Sequence, residues 1–308
     1  MATPSNRENV SFLSRNLKLA AHLYHPHPDA PSRAGAAIVI CHPWTSIKEQ
    51  SPANYARVLS HAGFTCLTYD AAYQGESEGL PRHLEDPAHR VEDIKSAVTY
   101  LTSRADISAT KIGVLGICAS GGYAPFAAQT DLRIKAVATS AAVCVGTMAH
   151  RGFDKDSSND DILKVQLEAA AKDRASDVTG ESVPIVHMLP EKYEDLPADF
   201  PESFRDLASY YRMPRAFHPR ATNTCLPRSW DLMANFDAFR WNSMISPRPL
   251  LMITGSRAAT KWYSEEGIER AKEPKELVVL DGLTHADLYD RVEEAGVKLV
   301  EFFGKSLV

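Results

Sequence analysis

Residues 111–123 read Lys-Ile-Gly-Val-Leu-Gly-Ile-Cys-Ala-Ser-Gly-Gly-Tyr, an apolar strand-like run that turns through Gly116-Ile117-Cys118-Ala119-Ser120 into a helix opened by small residues. A strand-to-helix turn this tight lifts its central residue to the top of a sheet and requires small neighbours where the chains pass. Cys118 holds that central position. The first N–H groups of the following helix then lie beside the sulfur, which favours thiolate, and the Ala119 N–H can face a developing oxyanion. Two other readings stand beside this one. Cys118 could be a buried thiol in an ordinary Gly-rich turn, or Ser120 could be the nucleophile, although it lies two residues into the helix and off the exposed turn.

A nucleophilic thiol needs a base. Of eleven histidines, only His285 combines the right order with a loop position: Asp281-Gly-Leu-Thr-His285-Ala-Asp-Leu-Tyr-Asp290 follows the last predicted strand and precedes the closing helix. Imidazole titrates near neutrality, so it can take the thiol proton and later protonate a leaving group or activate an acceptor. A generic surface histidine is the plainer alternative. After an early apolar run comes His42-Pro-Trp-Thr-Ser-Ile-Lys-Glu-Gln50, where a loop directly following a strand can donate a second oxyanion N–H. The Trp44 backbone is the expected donor, and the side chains of His42 and Trp44 are scaffold or pocket wall.

These residues need a sheet to hold them. Residues 10–13 and 17–24 read as two strands around an Arg15-Asn16 turn, the antiparallel edge of a mixed sheet. A strand at 36–41, a helix at 53–61 stopped by Gly63 and a strand at 64–69 form a βαβ unit. A helix at 91–103, strands at 111–117 and 136–142, and the helix from Ala119 continue the alternation. Strands at 250–254 and 276–280 and a closing helix at 293–303 resume it, which predicts a mostly parallel sheet covered on both faces. Between 145 and 246 the pattern fails: one helical stretch at 160–171, a polar break at 176–182, and Pro184, Pro190, Pro197, Pro201, Pro214, Pro219 and Pro227. So long a structureless loop is improbable, and the segment reads as a mostly helical cap inserted in a core of residues 1–144 and 247–308. Aromatic residues from Phe200 to Trp241 either line an apolar cavity or pack the cap onto the core.

With 308 residues, 44% hydrophobic and 24% charged, the chain can bury a large core. A net charge of -5 without a long Lys/Arg run argues against nucleic-acid and anionic-membrane partners. The polar start of the chain carries no basic-then-apolar leader, and no apolar run approaches the roughly 20 residues that span a bilayer, so a cytoplasmic location is expected. Cys41, Cys66, Cys118, Cys144 and Cys225 do not read as a disulfide framework, and no C-x-x-C pair suggests metal. The reading calls for no cofactor and no metal ion.

The order of elbow, His loop and HP-W loop resembles the α/β-hydrolase superfamily over nearly the whole chain. A closer likeness rests on His42-Pro43 with Lys48-Glu49-Gln50, Tyr69-Asp70-Ala-Ala-Tyr-Gln-Gly75-Glu-Ser77, Leu84-Glu85-Asp86-Pro87, Arg90-Val-Glu-Asp93, Gly116-Ile-Cys118 and Thr284-His285-Ala-Asp287-Leu-Tyr-Asp290. Together these look like the fungal polyketide transferase and thiohydrolase family and its bacterial relatives. That resemblance implies a trans-acting enzyme that takes an acyl chain from the acyl carrier protein of a polyketide synthase, or from a small acyl thioester, onto Cys118. Release would follow by hydrolysis, transfer to an alcohol, or macrolactonisation. The Cys-His pairing also resembles dienelactone hydrolases, which implies small-molecule ester or lactone hydrolysis instead, although Ser120 stands where their motif has Gly. A third reading is a non-catalytic binding module on a hydrolase scaffold. It draws on Ile253-Thr-Gly255-Ser-Arg-Ala-Ala259, which lacks the Asp that usually holds the catalytic His. Glu265 is the candidate orienting acid, Asp70 is either that acid or a turn-stabilising one, and Asp287 and Asp290 are expected to cap the closing helix.

Overall fold

A computed structural model describes residues 6–181 and 183–308. The chain opens with a hairpin, β1 (Arg7–Ser14) and β2 (Leu17–Tyr24), turned at Arg15 with φ 51°. Then follow β3 (Ala37–Cys41), α1 (Ser51–His61), β4 (Thr65–Tyr69), α2 (Pro87–Thr102), β5 (Ile112–Ile117), α3 (Ser120–Thr130) and β6 (Ile134–Ser140). The inserted segment holds α4 (Val145–Arg151), α5 (Asp160–Thr179), β7 (Val186–His187), α6 (Glu202–Arg212), β8 (Thr224–Cys225) and α7 (Ser229–Met233). The core resumes with β9 (Leu250–Gly255), α8 (Lys261–Glu269), β10 (Lys275–Leu280), the single turn α9 (Asp287–Asp290) and α10 (Glu293–Leu307).

Eight strands form one sheet in the order β1-β2-β4-β3-β5-β6-β9-β10. The β1–β2 and β2–β4 pairs are antiparallel and every other neighbour is parallel. The burial pattern follows from this. β1 alternates between exposed and buried positions towards its end, as an edge strand with one dry face does, whereas β3 and β5 are buried at every residue. Alternate side chains feed two cores. Val39, Val114, Val137 and Met252 share a core with α2 and α3 on one face, and Ile38, Leu115, Leu251 and Ile253 share one with α1 and α10 on the other. The sheet is therefore covered on both sides and its parallel strands all point one way, which gathers the loops after β3, β5 and β10 at a single edge.

Helix starts follow local chemistry. The Asp86 carboxylate accepts from the Ala88 and His89 N–H groups, with Pro87 in the first turn where its missing N–H costs nothing. In the insertion, α5 runs on to Thr179 and is closed by Gly180 at φ 72°, so the expected polar break begins four residues late; residue 182 lies outside the described residues. The small β7–β8 ribbon had no sequence signal, since two paired residues per strand carry no period. Among the described residues no helix is long and apolar enough to cross a membrane.

Candidate active site

Cys118 sits between β5 and α3 with φ at 56°, a left-handed conformation that a non-glycine side chain adopts only when its surroundings hold it. The surroundings do so through the backbone. The Cys118 N–H donates to the Ser140 carbonyl at 3.0 Å, and its own carbonyl accepts from Gly121 at 2.7 Å and Val143 at 2.9 Å. Gly116 makes the turn possible, because a methyl group there would overlap the Ser120 carbonyl oxygen. The result is a half-buried cysteine at the end of a fully buried strand.

Ala119 and Trp44 line the same cavity as that sulfur, and their backbone N–H groups favour its ionised form. Trp44 arrives on the loop after β3, which is anchored from behind by a buried guanidinium. Arg90 Nη2 donates to the His42 carbonyl oxygen at 2.6 Å and to Ser120 Oγ at 3.0 Å, and Nη1 lies 3.0 Å from His42 Nε2. Ser120 Oγ in turn donates to the His42 carbonyl at 2.6 Å, so its hydroxyl is engaged behind the elbow rather than above it. Glu85, fully buried, stands 3.6 Å from Arg90 Nε and accepts from the Tyr123 hydroxyl at 2.8 Å. None of these contacts was assigned from sequence, although Glu85 and Arg90 both belong to the motifs quoted above.

His285 lies in the loop between β10 and α9 and is buried. Gly255 lets that loop close on the end of β9, since a methyl group there would strike the Leu283 carbonyl. The imidazole does not meet a carboxylate. Its Nδ1 lies 2.6 Å from Thr260 Oγ1 and its Nε2 lies 2.8 Å from the Tyr289 hydroxyl. The same phenol lines one cavity with Cys118 and favours the ionised form of its thiol. Tyr289, four residues beyond His285, thus holds the imidazole on the wall that Cys118 also lines.

The structure brings Cys118, Ala119, Trp44 and His285 to one place and leaves Glu265 outside it. Glu265 is half-exposed on α8 and pairs with Lys261 at 3.3 Å. Asp70 is also elsewhere. It accepts from the Lys48 and Glu76 N–H groups and takes the Lys48 ammonium at 2.8 Å, which makes it the acid that ties the loops after β3 and β4 together. Asp287 and Asp290 do not cap α10, whose preceding residue is Val292 without a side-chain cap. They bind Arg215 of the insertion, Asp290 at 2.6 Å and Asp287 at 3.2 Å, while Asp206 on α6 accepts from the Ala286 N–H at 2.9 Å.

Burial governs the electrostatics. It pushes the Cys118 thiol above its usual range, against the opposing pull of the Tyr289 hydroxyl and the Ala119 and Trp44 N–H groups. It pushes His285 down to about 4. The resting site therefore holds a thiol and a neutral imidazole, not the thiolate that the helix start alone would favour.

Above the sulfur lies a cavity of about 930 Å³. Its wall is largely apolar: Val143 and Met148 near the elbow, Phe153, Phe204 and Trp230 from the insertion, and Trp262 from α8. Trp44 and Trp230 meet edge to face at 5.6 Å, which joins the loop after β3 to the insertion.

Residues 38–297 match the model of the alpha/beta hydrolase family. The chain belongs to that family. It is 37% identical over 305 residues to YcjY of Escherichia coli K12, covering 97% of this chain and 98% of that one. The crystal structure of the hypothetical protein PA2218 of Pseudomonas aeruginosa superposes with a TM-score of 0.90 at 32% identity, covering 100% of this chain and 96% of that one. A more distant relation reaches fungal proteins named as polyketide transferases and thiohydrolases. Among them grgF of Penicillium sp. is 26% identical over 265 residues, 83% of each chain, and its crystal structure gives a TM-score of 0.82, covering 98% of this chain and 99% of that one.

Proposed function

We propose that the protein hydrolyses esters and lactones of apolar small molecules through a thioester formed on Cys118. The observation that carries this reading is Cys118 at a strand-to-helix elbow, lining one largely apolar cavity with Ala119, Trp44 and His285. A carbonyl attacked by that sulfur places its oxygen beside the Ala119 and Trp44 N–H groups, where fixed donors in a water-poor site stabilise developing charge without reorganising. The S–H proton ends on His285, which returns it to the departing alkoxide oxygen as the C–O bond breaks. Water then adds to the thioester carbon, gives its proton to His285 and expels the sulfur, which recovers that proton; the acid leaves.

The test is intact-protein mass spectrometry with p-nitrophenyl butyrate and a medium-ring lactone, alongside product release. Wild type should show an acyl adduct or steady turnover, and Cys118→Ala neither. Unchanged turnover by Cys118→Ala would overturn the assignment, and complete inertness of wild type toward esters would favour the non-catalytic reading. A second reading, acyl release from a polyketide synthase carrier protein, draws its support from the kinship with grgF, named a polyketide transferase. It requires turnover of a carrier-bound acyl thioester at least ~10²-fold faster than of the free ester, a difference of about 3 kcal/mol in barrier.

A further inference from the structure

The reaction above moves a proton from Cys118 to His285, yet the Nε2 that would receive it already faces the hydroxyl of a third residue, Tyr289. We propose that Tyr289 relays this proton and that Thr260 takes the place of the orienting carboxylate, giving an uncharged chain Cys118–Tyr289–His285–Thr260. The inference rests on the reading of Cys118 as the nucleophile, whatever electrophile it attacks.

Geometry carries it. The Tyr289 hydroxyl is 2.8 Å from His285 Nε2, and Tyr289, His285 and Cys118 line one cavity. Tyr289 follows His285 by four residues, so hydroxyl and imidazole share one face of the turn. Its ring is held edge-on by Tyr210 at 5.0 Å and Tyr211 at 6.3 Å, and it is fully buried. A phenol both accepts and donates, which a relay requires. On the other side of the imidazole, Thr260 precedes α8 but spends its hydroxyl on no backbone N–H of that helix. Its Oγ1 is free to accept Nδ1–H at 2.6 Å, which leaves Nε2 as the unprotonated acceptor that faces Tyr289. The charged side chains nearest the His285 loop, Asp206, Asp287 and Arg215, bind its backbone and one another rather than the ring.

The step balances. As the Sγ–carbon bond forms and the carbonyl π pair moves to oxygen, the S–H proton passes to the Tyr289 oxygen and the phenol's own proton passes to Nε2. The products are the tetrahedral oxyanion and an imidazolium whose Nδ1–H remains on Thr260. Run in reverse, the chain delivers the proton to the leaving oxygen.

The experiment is a proton inventory of the acylation burst with p-nitrophenyl butyrate, in mixtures of H2O and D2O. Wild type should give a curved inventory, two protons in flight. Tyr289→Phe should give a linear one and a burst ~10²-fold slower, the scale of a lost proton-transfer group. Thr260→Val should lower kcat about tenfold with KM unchanged, and Thr260→Ser should restore it. A linear wild-type inventory, or Tyr289→Phe acylating at the wild-type rate, would overturn the relay. Should Tyr289→Phe fail to fold, the wild-type inventory decides alone. Iodoacetamide alkylation of Cys118, followed by mass, separates this inference from the functional one because it needs no ester. If no ester acylates wild type but alkylation slows in both Tyr289→Phe and His285→Ala, the hydrolase reading fails and the relay stands. Alkylation indifferent to Tyr289 in an enzyme that does acylate overturns the relay alone.

Discussion

Arg90 Nη2 bridges the His42 carbonyl oxygen and Ser120 Oγ, at 2.6 and 3.0 Å, so one buried guanidinium ties the loop that carries Trp44 to the helix that follows Cys118. Replacing Arg90 by Met removes that tie and strands the Glu85 carboxylate without its partner. Breaking one half of a buried pair costs about 3–5 kcal/mol, so urea denaturation should show a loss of that order. A variant that still folds should lose kcat with little change in KM if the Trp44 N–H serves the transition state as proposed. Lysine should not rescue it, since an ammonium cannot span both acceptors with a planar fork.

Gly116→Ala is expected to be worse. The methyl group would occupy the space of the Ser120 carbonyl, and backbone cannot give way as a side-chain tip can. A cost above about 4 kcal/mol places it among the exceptional substitutions. Soluble Gly116→Ala with a wild-type melting temperature would show that the elbow is looser than described.

The pH profile follows from burial. His285 is pushed down to about 4, so its neutral, proton-accepting form persists far below neutrality. As pH falls through about 4 the imidazole protonates and kcat/KM should fall with it, instead of near 6.5 where an ordinary histidine titrates. The same shift bears on stability. The unfolded chain binds a proton to this histidine below its ordinary value while the folded one does not, so stability is lost as pH drops from about 6.5 toward 4. A kcat/KM limb at pH 6–7 in the wild type would contradict the burial argument; His285→Gln should remove the corresponding part of the acid destabilisation.

The cavity makes a prediction about chain length. Each methylene moved from water into an apolar wall is worth about 0.8 kcal/mol, a factor of roughly four in kcat/KM. A series of p-nitrophenyl esters from acetate to octanoate should climb at about that rate and then flatten where the chain reaches the far wall. Phe204→Ala, which hollows the wall contributed by the insertion, should move the plateau to longer chains. A flat series would mean the acyl group lies elsewhere.

Much of the framework was legible because period and punctuation carried it. The continuous apolar runs at 36–41 and 111–117 correspond to β3 and β5, buried at every position, and the Arg15-Asn16 turn to the hairpin at the antiparallel edge. The insertion was legible as an interruption but not in its parts. Helix α6 owes its place to Ala208, Tyr210 and Tyr211 packing down on the core, a tertiary fact that a proline-punctuated stretch conceals. At the site, sequence order was enough to anticipate that Cys118, Trp44, Ala119 and His285 lie together. It could not find Thr260, whose hydroxyl reaches His285 from another loop only because β9 and β10 are neighbours. Tyr289 did have a signal: four residues after a histidine at a helix start, it had to share that histidine's face. Glu265 failed the same kind of test, for it lies on the side of α8 that faces Lys261 and solvent.

The grip of Arg215 and Asp206 on the loop around His285 makes roof and engine one assembly. Substitutions that widen the chamber by displacing α6 will also disturb the imidazole beneath it. Breadth of substrate and speed of turnover are therefore yoked in this scaffold, and variants selected for bulkier guests should arrive slower unless those two ion-bearing side chains are left untouched.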